Sequence, residues 1–271
     1  MFLIIFNFLL INIDAQEIKN ITLFIHGTHT EWLTKLLPKT LYIPRRLVKI
    51  SDLNKYSYVK WLTTSISGSN PLIYPLDEFY AFGWSGQLSS HARFLAAQTL
   101  YAEIQKLISF YKQLNIKTKI TIITHSHGGN IALNLAKIPD DKIIIDKLIL
   151  LACPVIEETQ NLVEHKIFKN VYSIYSRIDM FQVMSIQDLP NFQNKAVFSG
   201  RKFPSINALK QFAITINDRP IFHIEFIFWK FPKILPQIVS SIDQLETNGA
   251  YNLNVQYKKN KILKVDLDKT S

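Results

Sequence analysis

The stretch KITIITHSHGGNIALNLAKI, Lys119 to Ile138, decides how this chain is read. A run of β-branched and apolar residues meets two glycines and then an apolar segment of helical spacing, with His125-Ser126-His127 at the join. Two chemistries use such a join: a metal site built from His-x-His, and a serine nucleophile held on a sharp strand-to-helix turn. The metal reading is short of ligands. Where a longer metal motif would continue with Asp and His the chain has Gly129 and Asn130, leaving His125 and His127 where a catalytic zinc needs three protein ligands. His26 and His29, at an earlier strand end, would complete a set only through the fold, and no spacing requires it. The serine reading asks for small residues two before and two after Ser126, because the turn is so tight that a larger side chain would strike the neighbouring strand or helix. Gly128 fits; Thr124 stands where glycine is usual.

Working outward, the flanking segments alternate strand and helix. NITLFIHGTHT reads as a buried strand, Ile21–Ile25, running into a glycine turn, and EFYAFGWSGQ as a second strand ending near Trp84. Between them, residues 35–77 show little periodicity and many prolines and aromatics (Tyr42, Tyr56, Tyr58, Trp61), which suggests an insertion or lid. The segment after Ser89 and Ser90, either a plausible N-cap, has helical spacing at Phe94, Leu95, Ala97, Leu100, Ile104, Leu107, Ile108 and Tyr111. KTKITIITH is a third strand, GGNIALNLAKI a helix, KIIIDKLILLACPV a fourth strand and NVYSIYS a fifth. Beyond Asp179, NKAVFSG and QFAITIN read as further strands, residues 233–246 as a helix, and the tail as a terminal hairpin or strand. This order predicts a single α/β domain over residues 16–271 with a mostly parallel central sheet flanked by helices.

THSHGGN between strand and helix resembles the nucleophile elbow of the α/β-hydrolase fold, in its lipase and esterase branch. LFIHGT after an earlier strand and FGWSGQLSSHAR before a long helix agree in order and context. The resemblance covers roughly residues 21–179, with His223 beyond. It implies an α/β-hydrolase fold with a lid-like insertion, and a serine hydrolase that forms an acyl-enzyme through a Ser-His-Asp triad. Ser126 would be the nucleophile. The acid would lie just past a late strand, at Asp179, with Asp188 as fallback; the base would follow it, and His223 is the one histidine after Asp179. The oxyanion would be met by the backbone N–H groups of Thr28 and His127. His29 and Trp84 are expected at the substrate, His26 as a support for the oxyanion loop, and His125 and His127 as packing or cleft-lining groups. His91 and His165 are expected at the surface. Ser85 in GWSG is a second conceivable nucleophile but lacks the flanking strand-turn-helix. No cofactor and no metal are implied. The aromatic stretch 35–77 favours lipid-like or other apolar acyl esters. Thioester or amide hydrolysis, acyl transfer, and a non-catalytic binding protein on the same fold are the alternatives.

Composition sets the outer bounds. The chain has 271 residues and is 48% hydrophobic, enough for a sizeable core. Its formal net charge is +10, but the lysines are scattered (Lys19, Lys35, Lys39, Lys49, Lys55, Lys60) and no basic stretch with interleaved aromatics stands out. Nucleic acid is therefore not the expected partner. The chain is rich in Lys, Ile and Asn together, so the charge reflects composition as much as a basic face, and it leaves a mild attraction to anionic lipid or cell-envelope polymer open as a peripheral contact. The lone cysteine, Cys153, ends an apolar run and reads as a buried small hydrophobe. Residues 1–15, MFLIIFNFLLINIDA, have the length of a signal-peptide core or membrane anchor, though no cation precedes the apolar run and Ile13 is large for a cleavage site. The expectation is export, or a cytoplasmic protein if this leader is no signal.

Overall fold

The computed structural model describes residues 16–28, 35–140, 142–183, 200–205, 207–259 and 261–270. The leader, His29, residue Asp188 and most of NKAVFSG lie outside them. In chain order the elements are β1 (Ile18–Ile25), α1 (Pro38–Leu41), β2 (Leu47–Lys49), α2 (Tyr58–Ser69), β3 (Phe79–Phe82), α3 (Ser90–Gln113), β4 (Lys117–His125) and α4 (Gly128–Asn134). There follow β5 (Lys147–Leu151), β6 (Val171–Tyr175), β7 (Lys210–Ile216), β8 (Arg219–Pro220), α5 (Phe231–Asp243), β9 (Gly249–Lys258) and β10 (Lys261–Lys269). Among the described residues these strands form one sheet in the order β10-β9-β7-β6-β5-β4-β1-β3-β2, with β8 paired to the end of β7. From β3 to β9 every neighbouring pair is parallel; β2 and β10 close the two edges antiparallel.

The near-continuous apolar runs of the middle strands follow from burial on both faces. Successive side chains point to opposite faces, so Leu23 and Ile122 join a core with α3 and α4, while their neighbours Phe24 and Ile123 join one with α2 and α5. Connections β3–α3–β4 and β4–α4–β5 pass through the first layer, and α5 returns through the second. β3 and β4 flank β1 on opposite sides. The strand order therefore reverses around β1, and a ligand crevice is expected beyond the carboxyl ends there.

Several sequence expectations shift. β1 starts three residues earlier than read, and β5 is confined to Lys147–Leu151, Ile145 making only an isolated bridge to Phe168. The helix after the elbow is short, followed by a 3-10 turn, Leu135–Lys137. In α3 the buried face runs Arg93, Ala97, Leu100, Tyr101, Ile104 and Tyr111, while Leu95 is exposed; Ser89 is the cap, accepting from Ala92 N at 3.3 Å. Pro232 lies in the first turn of α5 and gives up no helical hydrogen bond there, whereas Pro236 lies inside the helix and forgoes its bond to the Pro232 carbonyl, yet the helix runs through it with its apolar face buried. The tail is a hairpin whose first strand extends the main sheet beside β7. The largest difference concerns residues 35–77. β2 is an edge strand of the sheet, and α2 buries Tyr58, Val59, Leu62 and Ile66 against α5. This stretch is built into the body of the domain rather than laid over it. Its mixed prolines and aromatics hid a helix of three turns.

Candidate active site

Ser126 sits between the last residue of β4 and the first of α4, with φ at +52°. For a residue with a side chain this left-handed conformation costs roughly 1–2 kcal/mol, so the surroundings must hold it. Its N–H donates to Leu151 O on β5 at 2.9 Å, and its carbonyl accepts from Gly129 N at 3.0 Å. The glycines around it are dictated by space. A Cβ on Gly128 would stand 2.6 Å from the carbonyl oxygens of Ile25 and His26, and one on Gly129 would stand 2.4 Å from Cys153 Sγ. Thr124, the departure from the usual glycine, is fully buried, and its hydroxyl donates to Ile149 O at 3.3 Å, so the strand accommodates both its methyl and its polar group.

The end of β1 lies against this turn. A Cβ on Gly27 would be 2.8 Å from Ser126 Cβ and 3.1 Å from His125 Nδ1. The glycine thus lets the loop carrying the Thr28 N–H abut the serine. His26 behind it accepts at Nε2 from Trp84 N (3.3 Å), which leaves Nδ1 to donate to Gly27 O (2.6 Å). Trp84 Nε1 donates back to His26 O at 2.9 Å. Trp84 is buried and cross-linked to His26, so its bonds serve the loop behind the serine.

On the other side, the loop after β6 carries Asp179 and a 3-10 turn after β8 carries His223. The structure brings these two together: Asp179 Oδ2 accepts from His223 Nδ1 at 2.7 Å. The carboxylate is buried, its other oxygen accepting from Gln182 N at 3.2 Å. The His223 ring lies 4.5 Å from that of His125, centroid to centroid, and His125 Nε2 donates to His223 O at 3.1 Å. His223 is thereby fixed next to the residue that precedes Ser126. With Nδ1 committed to Asp179, Nε2 is the nitrogen left to take a proton.

Under the turn lies a group that sequence reading missed. Arg93, on α3, is fully buried, and its guanidinium is 3.6 Å from a carboxylate oxygen of Glu158, which also accepts from Ser90 Oγ. Burial, then the Arg93 charge, then His223, push the His127 imidazole from 6.5 down to about 3, so it is neutral at any ordinary pH. Its backbone N–H opens α4 beside Ser126, where the partial positive charge of a helix start also points. The signal for Arg93 was there to find: it occupies the apolar stripe four residues before Ala97 and seven before Leu100. Among the described residues His91 is exposed and His165 half-buried, neither with a bond to these groups, and Ser85 accepts from Gln87 N at 3.4 Å. Among the described residues no group of three His, Cys, Asp or Glu side chains is placed to hold a metal ion.

The chain has an α/β architecture with a mostly parallel central sheet flanked by helices. Residues 73–199, a little under half of it, match the model of a family described as a PGAP1-like alpha/beta domain. Among solved structures it is similar to phospholipase PlaB from Legionella pneumophila, in complex with thio-NAD (16% identity, TM-score 0.25). That match covers 49% of this chain and 25% of the phospholipase, so the chain aligns with about a quarter of its length. It is also similar to an acetyl xylan esterase, at 12% identity and TM-score 0.30, over 71% of this chain and 80% of that one. At these scores neither likeness assigns a role to any residue. Among curated proteins no sequence matches.

Proposed function

We propose that the protein is a serine hydrolase that cleaves carboxylic esters through an acyl-enzyme, with Ser126 as nucleophile, His223 as base and Asp179 as its orienting acid. The observation that carries this reading is the 2.7 Å bond between a buried Asp179 and His223, whose ring lies against that of His125, the residue before a serine held at positive φ on a strand-to-helix turn. A hydroxyl is a weak nucleophile until a base takes its proton. In this reading Ser126 Oγ attacks the acyl carbonyl and passes its proton to His223 Nε2. Asp179 holds the ring in the tautomer that leaves Nε2 free and stabilises the imidazolium. The tetrahedral oxyanion is met by the N–H groups of His127 and Thr28, with the opening of α4 behind the first. His223 then protonates the leaving alcohol, and the same nitrogen activates the water that frees the enzyme.

The apolar side chains around the base favour an apolar acyl group. Phe181 lies 5.7 Å from the His223 ring, tilted to it, and Phe222 and Ile224 flank that residue. The test is labelling by a fluorophosphonate probe, with Ser126→Ala as control, together with a panel of p-nitrophenyl esters of rising chain length. Labelling that survives Ser126→Ala, or no labelling and no turnover at any chain length, would remove the proposal and leave a binding protein on a hydrolase fold.

A further inference from the structure

We propose that the loops bearing Asp179 and His223 dock on the surface of an anionic phospholipid bilayer. The docking stands on exposed side chains alone; only its purpose, delivery of a lipid ester to Ser126, rests on the hydrolase reading.

Burial does not explain the side chains that surround this pair. Ile178, Met180 and Phe181 bracket Asp179 and are 41%, 58% and 76% exposed. Phe222 and Ile224 bracket His223 at 58% and 49%, and Trp229 follows at 62%. They stand on two loops that meet at the Asp179–His223 bond. Phe181 reaches the His223 ring, the chain runs on from Phe222 to Trp229, and Phe228 stacks at 6.1 Å on Trp61 of α2, itself partly exposed. Trp229 adds a second observation. Its φ is +56°, a conformation that a bulky residue adopts only at a cost, and most of the residue lies in solvent rather than in the core. Backbone strain at a ring left mostly in solvent points to a role outside the fold.

Charge selects the occupant. Lys230 follows Trp229 and lies over the Tyr257 ring at 5.0 Å; Arg177 precedes Ile178 and is steadied by Asn252 Oδ1. Neither has a carboxylate partner among the described residues. Arg201 bonds Asp179 O and approaches Met180 Sδ, and with Arg177 and Lys202 it lines an open hollow beside the Asp179 loop. Arg219 is paired with Glu225, Asp218 is held by Asn254 and Gln256, and of the acids on β10, opposite Asn254 and Asn252, Asp266 is paired with Lys264 and Asp268 is the one that stands against these cations. Aromatic rings with cations at their margin match a bilayer interface, where tryptophan favours the headgroup level and each Lys or Arg adds attraction to anionic lipid. A second copy of this chain would bring the same cations face to face.

The experiment uses the full chain carrying Ser126→Ala, so that the vesicles are not consumed. It is sedimented with phosphatidylcholine vesicles, and with vesicles of phosphatidylcholine and phosphatidylglycerol in equal parts. The expected result is at least tenfold stronger partitioning to the anionic vesicles, lost at least tenfold in Trp229→Ser/Phe222→Ser at an unchanged thermal midpoint. With Ser126 restored, Trp229→Ser alone should cleave a soluble p-nitrophenyl ester at the parent rate. Four outcomes overturn the proposal: no sedimentation with either vesicle, equal binding by parent and double variant, a dimer that the double variant abolishes, or binding that vanishes only when residues 1–15 are removed. Absence of ester turnover with intact vesicle binding would count against the hydrolase reading and not against the docking.

Discussion

His127 sets a limit on the stability of this protein in acid. Its imidazole is buried, and burial, the Arg93 guanidinium and His223 bring it down to about 3, whereas in an unfolded chain it titrates near 6.5. Between these values the unfolded state binds a proton that the native state refuses. Falling pH therefore favours unfolding through that window, and above 6.5 the group contributes no pH dependence. At roughly 1.4 kcal/mol per tenfold change, the whole window is worth about 5 kcal/mol, of which about 3 kcal/mol falls between pH 7 and pH 4. Carboxylates titrate in the same range, so the wild type alone is not diagnostic. His127→Asn keeps a polar group near Nδ1 and removes the titration. Urea unfolding of both proteins at pH 7 and pH 4 should show the difference between them moving by about 3 kcal/mol in favour of the variant. A difference that stays constant across the two pH values would mean that the folded protein protonates His127, and the account of a dry, cation-flanked imidazole under the turn would be refuted.

Asp179→Asn should lower kcat by a factor on the order of ten thousand, since the amide would present an N–H to His223 Nδ1 and favour the wrong tautomer; ester turnover measured on protein of unchanged thermal midpoint checks it. Gly27→Ala places a Cβ 2.8 Å from Ser126 Cβ, and such overpacking costs about 1–3 kcal/mol; both kcat and the urea midpoint should fall, and unchanged kinetics would show that the loop does not abut the serine. Leu62→Ala on α2 removes a side chain that is 1% exposed and should destabilise the protein by about 2–5 kcal/mol. A loss well under 1 kcal/mol would restore the reading of residues 35–77 as a detachable cover.

What the sequence determined by itself was the alternation of elements and the local turn. Period-two and period-3.6 patterns are short-range physics, and a serine between a β-branched run and two glycines carries its own backbone requirement. The α/β class, the central strands and Ser126 at a strand-to-helix join were therefore legible in the chain. The pairing of Asp179 with His223, 44 residues apart, could be anticipated only through a family resemblance, because a hydrogen bond over that separation is set by strand order, not by spacing. Tertiary structure alone decided the rest. Within residues 35–77, α2 does bury a helical spacing, Tyr58, Val59, Leu62 and Ile66, but polar Thr63 and Ser67 share that face and Trp61 is exposed, so the pattern was blurred and only the packing against α5 shows it. Arg93 and Glu158 meet beneath the turn because α3 crosses the face of β4, and the bond from His125 to the His223 carbonyl exists only because β4 and the turn after β8 end at the same side of the sheet. Local pattern fixes what each segment becomes, while the order in which parallel strands assemble fixes which distant side chains share one small volume at their carboxyl ends.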